Sequence, residues 1–396
     1  MLGHVRLPSN LGDQLSDGFR AAYNTSTVKD WCLGLGLPYI PMMPPRMGHT
    51  YQPHYGPGFG TGNGTEFEQP EAYVAQIPNA SVIGGWGAVF TDNGYALWDI
   101  ARCERSERFD LTSGDLPIVN RDEIQANFSA VADEDIPEGI LLQSWFASNF
   151  HHWLIEHLPR LALIERMCIP ATVPLLIDER ALAVPQLVDA LAAFDTVGHP
   201  VIGLTPGTKY DVGNLHVPSC LFGTGPNLRG SLVVETGDVT IHREAITWLR
   251  DRFAPVETPG TRRIYIDRRA KMAPVRLRNG DEVRAVFEEF GFETVHPGTM
   301  TFAEQRETFG NASIIAGESG AAMTNIILAP ESTKMICLQA QRWDLNVYCD
   351  LATYGGQQNL FIAGTEIYDP LQAQQTYQRP FVIDTSALRA TLADIL

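Results

Sequence analysis

The stretch over residues 312–330, ASIIAGESGAAMTNIILAP, constrains this chain more than any other. An apolar run at 313–316 meets Gly317. Small residues follow, and Met323, Ile326 and Ile327 then recur at helical spacing until Pro330 stops them. A strand, a tight turn and a helix start within so few residues belong to an α/β sheet. Gly320, Ala321 and Ala322 carry no bulk, and the first amides of a helix have no partner within it, so an anion could approach closely.

Three readings of this stretch stay open. It fits a cradle for a diphosphate. It nearly fits a nucleophile elbow, since Gly317-Glu318-Ser319-Gly320-Ala321 differs from G-x-S-x-G only at its last position. It also fits the plain need of any α/β protein for small residues where strand becomes helix. The elbow ranks low, because its chain order is serine, acid, histidine, and the last histidine here is His296.

At 396 residues the chain is long enough for two cores. A hydrophobic share of 44% with 19% charged residues is that of an ordinary globular protein. The net charge of −17 argues against non-specific binding of nucleic acid or anionic lipid. Six scattered cysteines without a C-x-x-C pair suggest reduced thiols. The N-terminus lacks the pattern of a signal peptide, and no apolar run is long enough to span a bilayer, so a cytoplasmic protein is expected.

Residues 1–70 read as an irregular extension broken by prolines and by the glycine run of residues 56–64, either a mobile surface loop or a lid. Short β-rich runs over 80–84, 88–91 and 95–100 suggest an antiparallel meander. Asp133, Glu134 and Asp135 match a metal-binding D-x-D, but their acidic surroundings read as a solvated turn. A strand at 140–143 leads to a helix from Phe150, capped by Ser148 or Asn149. On that helix His152, Glu156 and Arg160 share one face at i, i+4 and i+8, and Pro159 should bend it and free the Ile155 carbonyl. The histidines and Glu156 follow no zinc-site spacing, so no metal is expected. Strands at 173–177, 201–204 and 214–218 with a helix at 185–194 suggest a parallel sheet.

Residues 255–260 (PVETPG) form the best domain boundary, giving an α/β domain over 71–255 and a second over 256–345. A C-terminal segment over 346–396 is expected to pack back on the first. The span from Arg262 to Arg284 holds eight basic residues against three acidic ones, with Arg268 and Arg269 just past a strand end, where arginines could meet a pyrophosphate.

Taken in order, Asn149 to Arg160 (NFHHWLIEHLPR), Ile264 to Arg269 (IYIDRR), Asn279 with Glu282, Gly291-Phe292, Phe302 to Gln305 and Gly320 to Asn325 resemble glycosyltransferase family 61. The resemblance covers about residues 138–340. It implies a GT-B-like pair of Rossmann-type domains facing across a cleft. It also implies a nucleoside-diphosphate sugar as donor, inversion at the anomeric carbon, and no cofactor or obligatory metal. A bacterial surface polysaccharide or lipopolysaccharide would be the product, and a glycan or glycolipid the acceptor, which allows peripheral membrane association. The donor would meet Arg268, Arg269, Glu318, Ser319, Gly320, Ala321 and Asn325. His152 or Glu156 would serve as base, with His151, Arg160 and Gln305 on the acceptor side or in structural roles. The family usually has histidine where this chain has Ser319. That departure leaves two alternatives: a nucleotide-sugar-binding pseudoenzyme, and a serine hydrolase using Ser319.

Overall fold

The computed structural model describes residues 19–97, 118–120, 123–144, 146–194, 198–224, 239–253, 258–268, 276–340, 346–367 and 380–396. Two compact units emerge: Met1–Arg46 with Gln69–Arg229, and Met47–Glu68 with Gly230–Leu396. The change of unit at 229/230 lies upstream of the proline-rich boundary expected at 255–260, of which residues 255–257 lie outside the described residues. Residues 346–396, expected to return to the first domain, fall in the second unit.

The first unit is built on one mixed sheet. Its parallel part runs, edge inward, Val201–Leu204, Leu175–Asp178, Ile136–Leu141, Thr208–Pro218. In chain order that is 3-2-1-4, so the order in which strands are added reverses beside Ile136–Leu141. Such switch points are where open α/β sheets take ligands, beyond the carboxyl ends. The expected meander is present as Ala72–Ile83, Val89–Thr91 and Tyr95–Leu97. It is fused to the parallel part through the antiparallel pair Ala72–Ile83 and Thr208–Pro218. Tyr73, Ala75 and Ile77, and beyond them Ala80 and Val82, share a core with Leu141, Leu176, Leu215 and Val217.

Residues 19–69 are not irregular. They carry strands Phe19–Ser26, Tyr39–Met43, Arg46–Tyr51 and Gly64–Gln69 and the helix Val28–Leu35. Pro41 sits at a register shift in a strand that pairs on one side only, which is where proline costs no ladder bond. The glycine run also has a packing cause. A Cβ on Gly56 or Gly60 would lie 2.7 or 2.8 Å from the His54 ring, and one on Gly62 would meet the Gln52 carbonyl. Gly60 pairs with Asn359, and Phe361 N donates to His54 O at 2.8 Å, so this segment is laid against a strand of its own unit.

The second unit holds a sheet in the order Glu293–Val295, Arg262–Ile266, Ala312–Glu318, Lys334–Ala340, Gln358–Glu366, Phe381–Val382, parallel except for the last pair. Chain order is 2-1-3-4-5 for the five parallel strands, with its switch point between Arg262–Ile266 and Ala312–Glu318. Tyr265, Val283, Phe287, Ile314, Ile336 and Leu388 fill the core on one face. Among the described residues no helix is long and apolar enough to cross a membrane.

One buried carboxylate fastens the glycine-bearing segment to this unit. Asp350 accepts from Thr50 Oγ1 at 2.7 Å, Tyr51 N at 2.6 Å and Asn346 Nδ2 at 2.5 Å, and is fully buried. Burial pushes its carboxyl up to about 8, against the pull of those three hydrogen bonds. A carboxyl raised in the folded state stabilises the fold most below its unfolded range and loses that contribution as pH rises through the folded value. Unfolding midpoints should therefore fall between about pH 5 and pH 8, with a slope of at most about 1.4 kcal/mol per pH unit from this one proton. Asp350→Asn should flatten that fall. An identical pH dependence in denaturant titrations of both proteins would contradict it.

Candidate active site

The first candidate cluster follows Ile136–Leu141 at its carboxyl end, beside the switch point of the first unit. Asn149 caps the helix start, its Oδ1 accepting from His151 N at 2.9 Å. The helix then changes pitch three times. Phe150–His152 is α-helical, Trp153–His157 is a π-helix, Leu158–Arg160 is 3₁₀, and Leu161–Ile164 returns to α. Pro159 explains this: it has no N–H for the Ile155 carbonyl, so the ladder must shift around it. Leu158 N accordingly donates to Trp153 O, five residues back, and Arg160 Nε takes the Glu156 carbonyl at 3.1 Å. Single-turn π segments of this kind recur at functional sites.

The pitch change brings a histidine–carboxylate pair together. His152 Nδ1 lies 2.6 Å from Glu156 Oε1. Glu156 is buried, whereas the His152 side chain is 23% exposed, and its Nε2 has no protein partner among the described residues. Burial pushes the imidazole down, but the Glu156 charge and hydrogen bond outweigh it, and His152 is raised above 6.5. Its neighbours differ. His151 is lowered well below 6.5 by burial and by the nearby His152 charge. His157 is lowered by burial and the Arg160 charge, with Nε2 at 3.0 Å from Ser144 Oγ and Nδ1 at 3.0 Å from His152 O. Of the three, His152 alone combines an accessible nitrogen with an orienting carboxylate, which is the build of a general base. Arg160 is fully buried and gives its Nε and Nη1 to the carbonyls of Glu156 and Gln143, a structural post.

The second cluster lies at the switch point of the other sheet. Arg268 follows Arg262–Ile266, and Glu318, Ser319 and Gly320 end or follow Ala312–Glu318. Arg276 Nε donates to Glu318 Oε1 at 2.7 Å, and its Nη2 donates to Ser319 O. Arg268 Nη1 donates to the same carbonyl at 3.0 Å and stands 3.5 Å from Glu318 Oε1. Two guanidiniums thus share one carboxylate, leaving one positive charge. Burial lowers Arg268, with Glu318 opposing, yet arginine stays charged in proteins. Gly320, at φ 154°, allows this packing: a Cβ there would lie 2.1 Å from Arg268 Nη1.

Ala321–Leu328 is helical as expected but 3₁₀ throughout. Pro330 cannot donate to the Ile326 carbonyl, and Gln357 Nε2 takes it at 3.0 Å. Arg250 Nη1 likewise takes the carbonyls of Ile327 and Ala329. At the other end, Ser319 N is spent on Leu338 O at 2.8 Å, while the amides of Gly320, Ala321 and Ala322 meet no main-chain acceptor among the described residues. The open amides are therefore those of residues 320–322, while Ser319, expected at the donor site, gives its own to the sheet.

The other expected site residues have inward-facing tasks. Asn325 is fully buried and donates to Ala322 O, and Gln305 is buried and donates to Pro297 O at 3.1 Å. Arg269 lies outside the described residues. Ser319 is 1% exposed, its hydroxyl meets no histidine among the described residues, and its backbone lacks the positive φ found at Asn79 and Phe146. Nothing about it resembles a strained, exposed nucleophile. Arg276 is the residue that sequence reasoning missed. Its only signal was membership of the basic segment.

Asp133, Glu134 and Asp135 form an exposed bend lining a cavity of about 750 Å³. Its walls precede or open the strands Ile136–Leu141 and Leu175–Asp178, the opposite end from His152.

Both clusters sit where doubly wound α/β proteins handle ligands, one pairing a histidine with a carboxylate and the other setting two arginines beside open amides. Residues 150–336, just under half of the chain, match the family model described as Glycosyltransferase 61, and this span is similar to that family. The matched span contains His152, Glu156, Arg268, Arg276 and the 318–322 turn. No curated protein matches the chain.

Proposed function

We propose that this protein is an inverting, metal-independent glycosyltransferase of GT-B-like plan that moves a sugar from a nucleoside-diphosphate sugar to a glycan or glycolipid acceptor. A cytoplasmic role in bacterial surface polysaccharide or lipopolysaccharide synthesis belongs to the same reading. The observation that carries it is the His152–Glu156 pair, with Nδ1 held and Nε2 open. In the reaction, Nε2 takes the proton of an acceptor hydroxyl as its oxygen bonds to the anomeric carbon. The bond from that carbon to the diphosphate breaks, and its electron pair leaves on phosphate oxygen. Arg268 and the amides of Gly320, Ala321 and Ala322 meet that charge. No serine nucleophile enters this scheme.

The test is release of nucleoside diphosphate from a panel of nucleotide sugars, with acceptor extract, in EDTA. Turnover should survive EDTA, and Ser319→Ala should lose at most about 1 kcal/mol of transition-state stabilisation. Loss of turnover in EDTA with rescue by manganese would sink metal independence. Collapse of the Ser319→Ala variant to background would favour a serine hydrolase.

A further inference from the structure

We propose that Phe146 is the platform on which a pyranose ring of the acceptor stacks, beside the base, an inference that rests on His152 acting on an acceptor hydroxyl. Single exposed apolar residues are ordinary on protein surfaces. Phe146 is set apart by three observations together. Its side chain is large and 58% exposed. Its backbone stands at φ 63°, one of two non-glycine residues with positive φ among the described residues, which for a bulky residue is a strained conformation. And its ring lies on the His152 ring, centroids 5.0 Å apart and 27° from parallel.

The strain has no return in core packing, because the ring is turned out to solvent. A turn fixes it there: Asn149 N donates to Phe146 O at 2.8 Å, and the same Asn149 caps the site helix. His151 stands edge-on to His152 at 5.3 Å and to Phe222 at 5.9 Å, so an aromatic wall backs the base. Phe146 is the exposed member of that wall, and its ring is stacked on the imidazole that carries the free Nε2. A pyranose presents a face of polarised C–H groups and a rim of hydroxyls. An aromatic ring offers an apolar surface with a negative face that suits those C–H groups, while a neighbouring nitrogen can accept from a rim hydroxyl. Phe146 is thus a positioning residue: it would orient the sugar so that one hydroxyl reaches His152.

Glycine separates this role from a structural one. Phe146→Gly removes the ring and relieves the positive φ, so stability should hold or rise. Phe146→Trp keeps an aromatic face. The probes are methyl β-D-glucopyranoside, methyl β-D-galactopyranoside and methyl α-D-mannopyranoside, titrated while the His152 imidazole resonances are followed by NMR. At least one should shift them in the wild type. Affinity should fall about tenfold in Phe146→Gly and stay within about threefold in Phe146→Trp, the size of one aromatic contact. Wild-type affinity in Phe146→Gly, a lower Tm in that variant, or His152 resonances that ignore all three probes would overturn the platform. Nucleotide-sugar turnover by the same samples separates the two levels: transfer by Phe146→Gly equal to that of the wild type overturns the platform alone, whereas a wild type without transfer overturns the reading beneath it.

Discussion

His152→Ala is expected to lower kcat by about 10²–10⁴-fold, the usual contribution of a positioned general base, with nucleoside-diphosphate affinity unchanged. The pair gives this expectation a pH signature. His152 works deprotonated, and Glu156 holds its pKa above 6.5 through charge and hydrogen bond, against burial. The rate should therefore rise with pH through an apparent pKa above that value. Glu156→Gln removes the charge while keeping the shape, leaving burial to pull the imidazole down, so the acid limb should move to lower pH. A pH–rate profile unchanged by Glu156→Gln would remove Glu156 from the mechanism. Full activity of His152→Ala would remove the base itself.

Arg268→Ala should weaken nucleoside-diphosphate binding by about 1.5–3 kcal/mol, the range of a charge-assisted hydrogen bond. Arg276 is committed at short range to Glu318 and the Ser319 carbonyl, whereas Arg268 makes one good bond and a looser 3.5 Å approach. The single positive charge left over by the trio is thus expressed at Arg268. Arg262, which opens the strand that Arg268 follows and is paired with the exposed Glu293 of the neighbouring strand, is the control: Arg262→Ala should leave affinity unchanged. Calorimetry at fixed salt decides, since salt would otherwise screen the difference. Equal affinities of wild type and Arg268→Ala would contradict the cradle.

Much of this architecture could be read from periodicity and punctuation. The alternation of apolar runs and amphipathic segments marked most strands of both parallel sheets, and Gly317 to Pro330 marked the turn and the helix beyond it. Pro159 announced a break in the site helix, because a missing N–H is a local fact. What the break became, a π segment followed by a 3₁₀ turn, depends on which carbonyls Leu158 and Arg160 reach in three dimensions. The strands in residues 19–69 were hidden because proline and glycine were read as breakers. Pro41 occupies a one-sided strand, and the glycines yield to the His54 ring and the Gln52 carbonyl.

The site was legible in part for the same reason. His152 and Glu156 are local partners at i, i+4, so sequence spacing alone proposes them. Arg276 grips Glu318 from 42 positions away, and no spacing rule picks it from its basic neighbours. The positive φ of Phe146 leaves no trace in composition either. Residues whose task is set by a distant partner stay anonymous until the sheet order brings the partner close.

The central claim is a single displacement in which His152 deprotonates the acceptor as the diphosphate leaves. Its most direct test is the anomeric configuration of the first-formed product, read from the anomeric proton coupling by NMR before mutarotation or further transfer. The account predicts a configuration opposite to that of the donor sugar. A product that keeps the donor's configuration would contradict it.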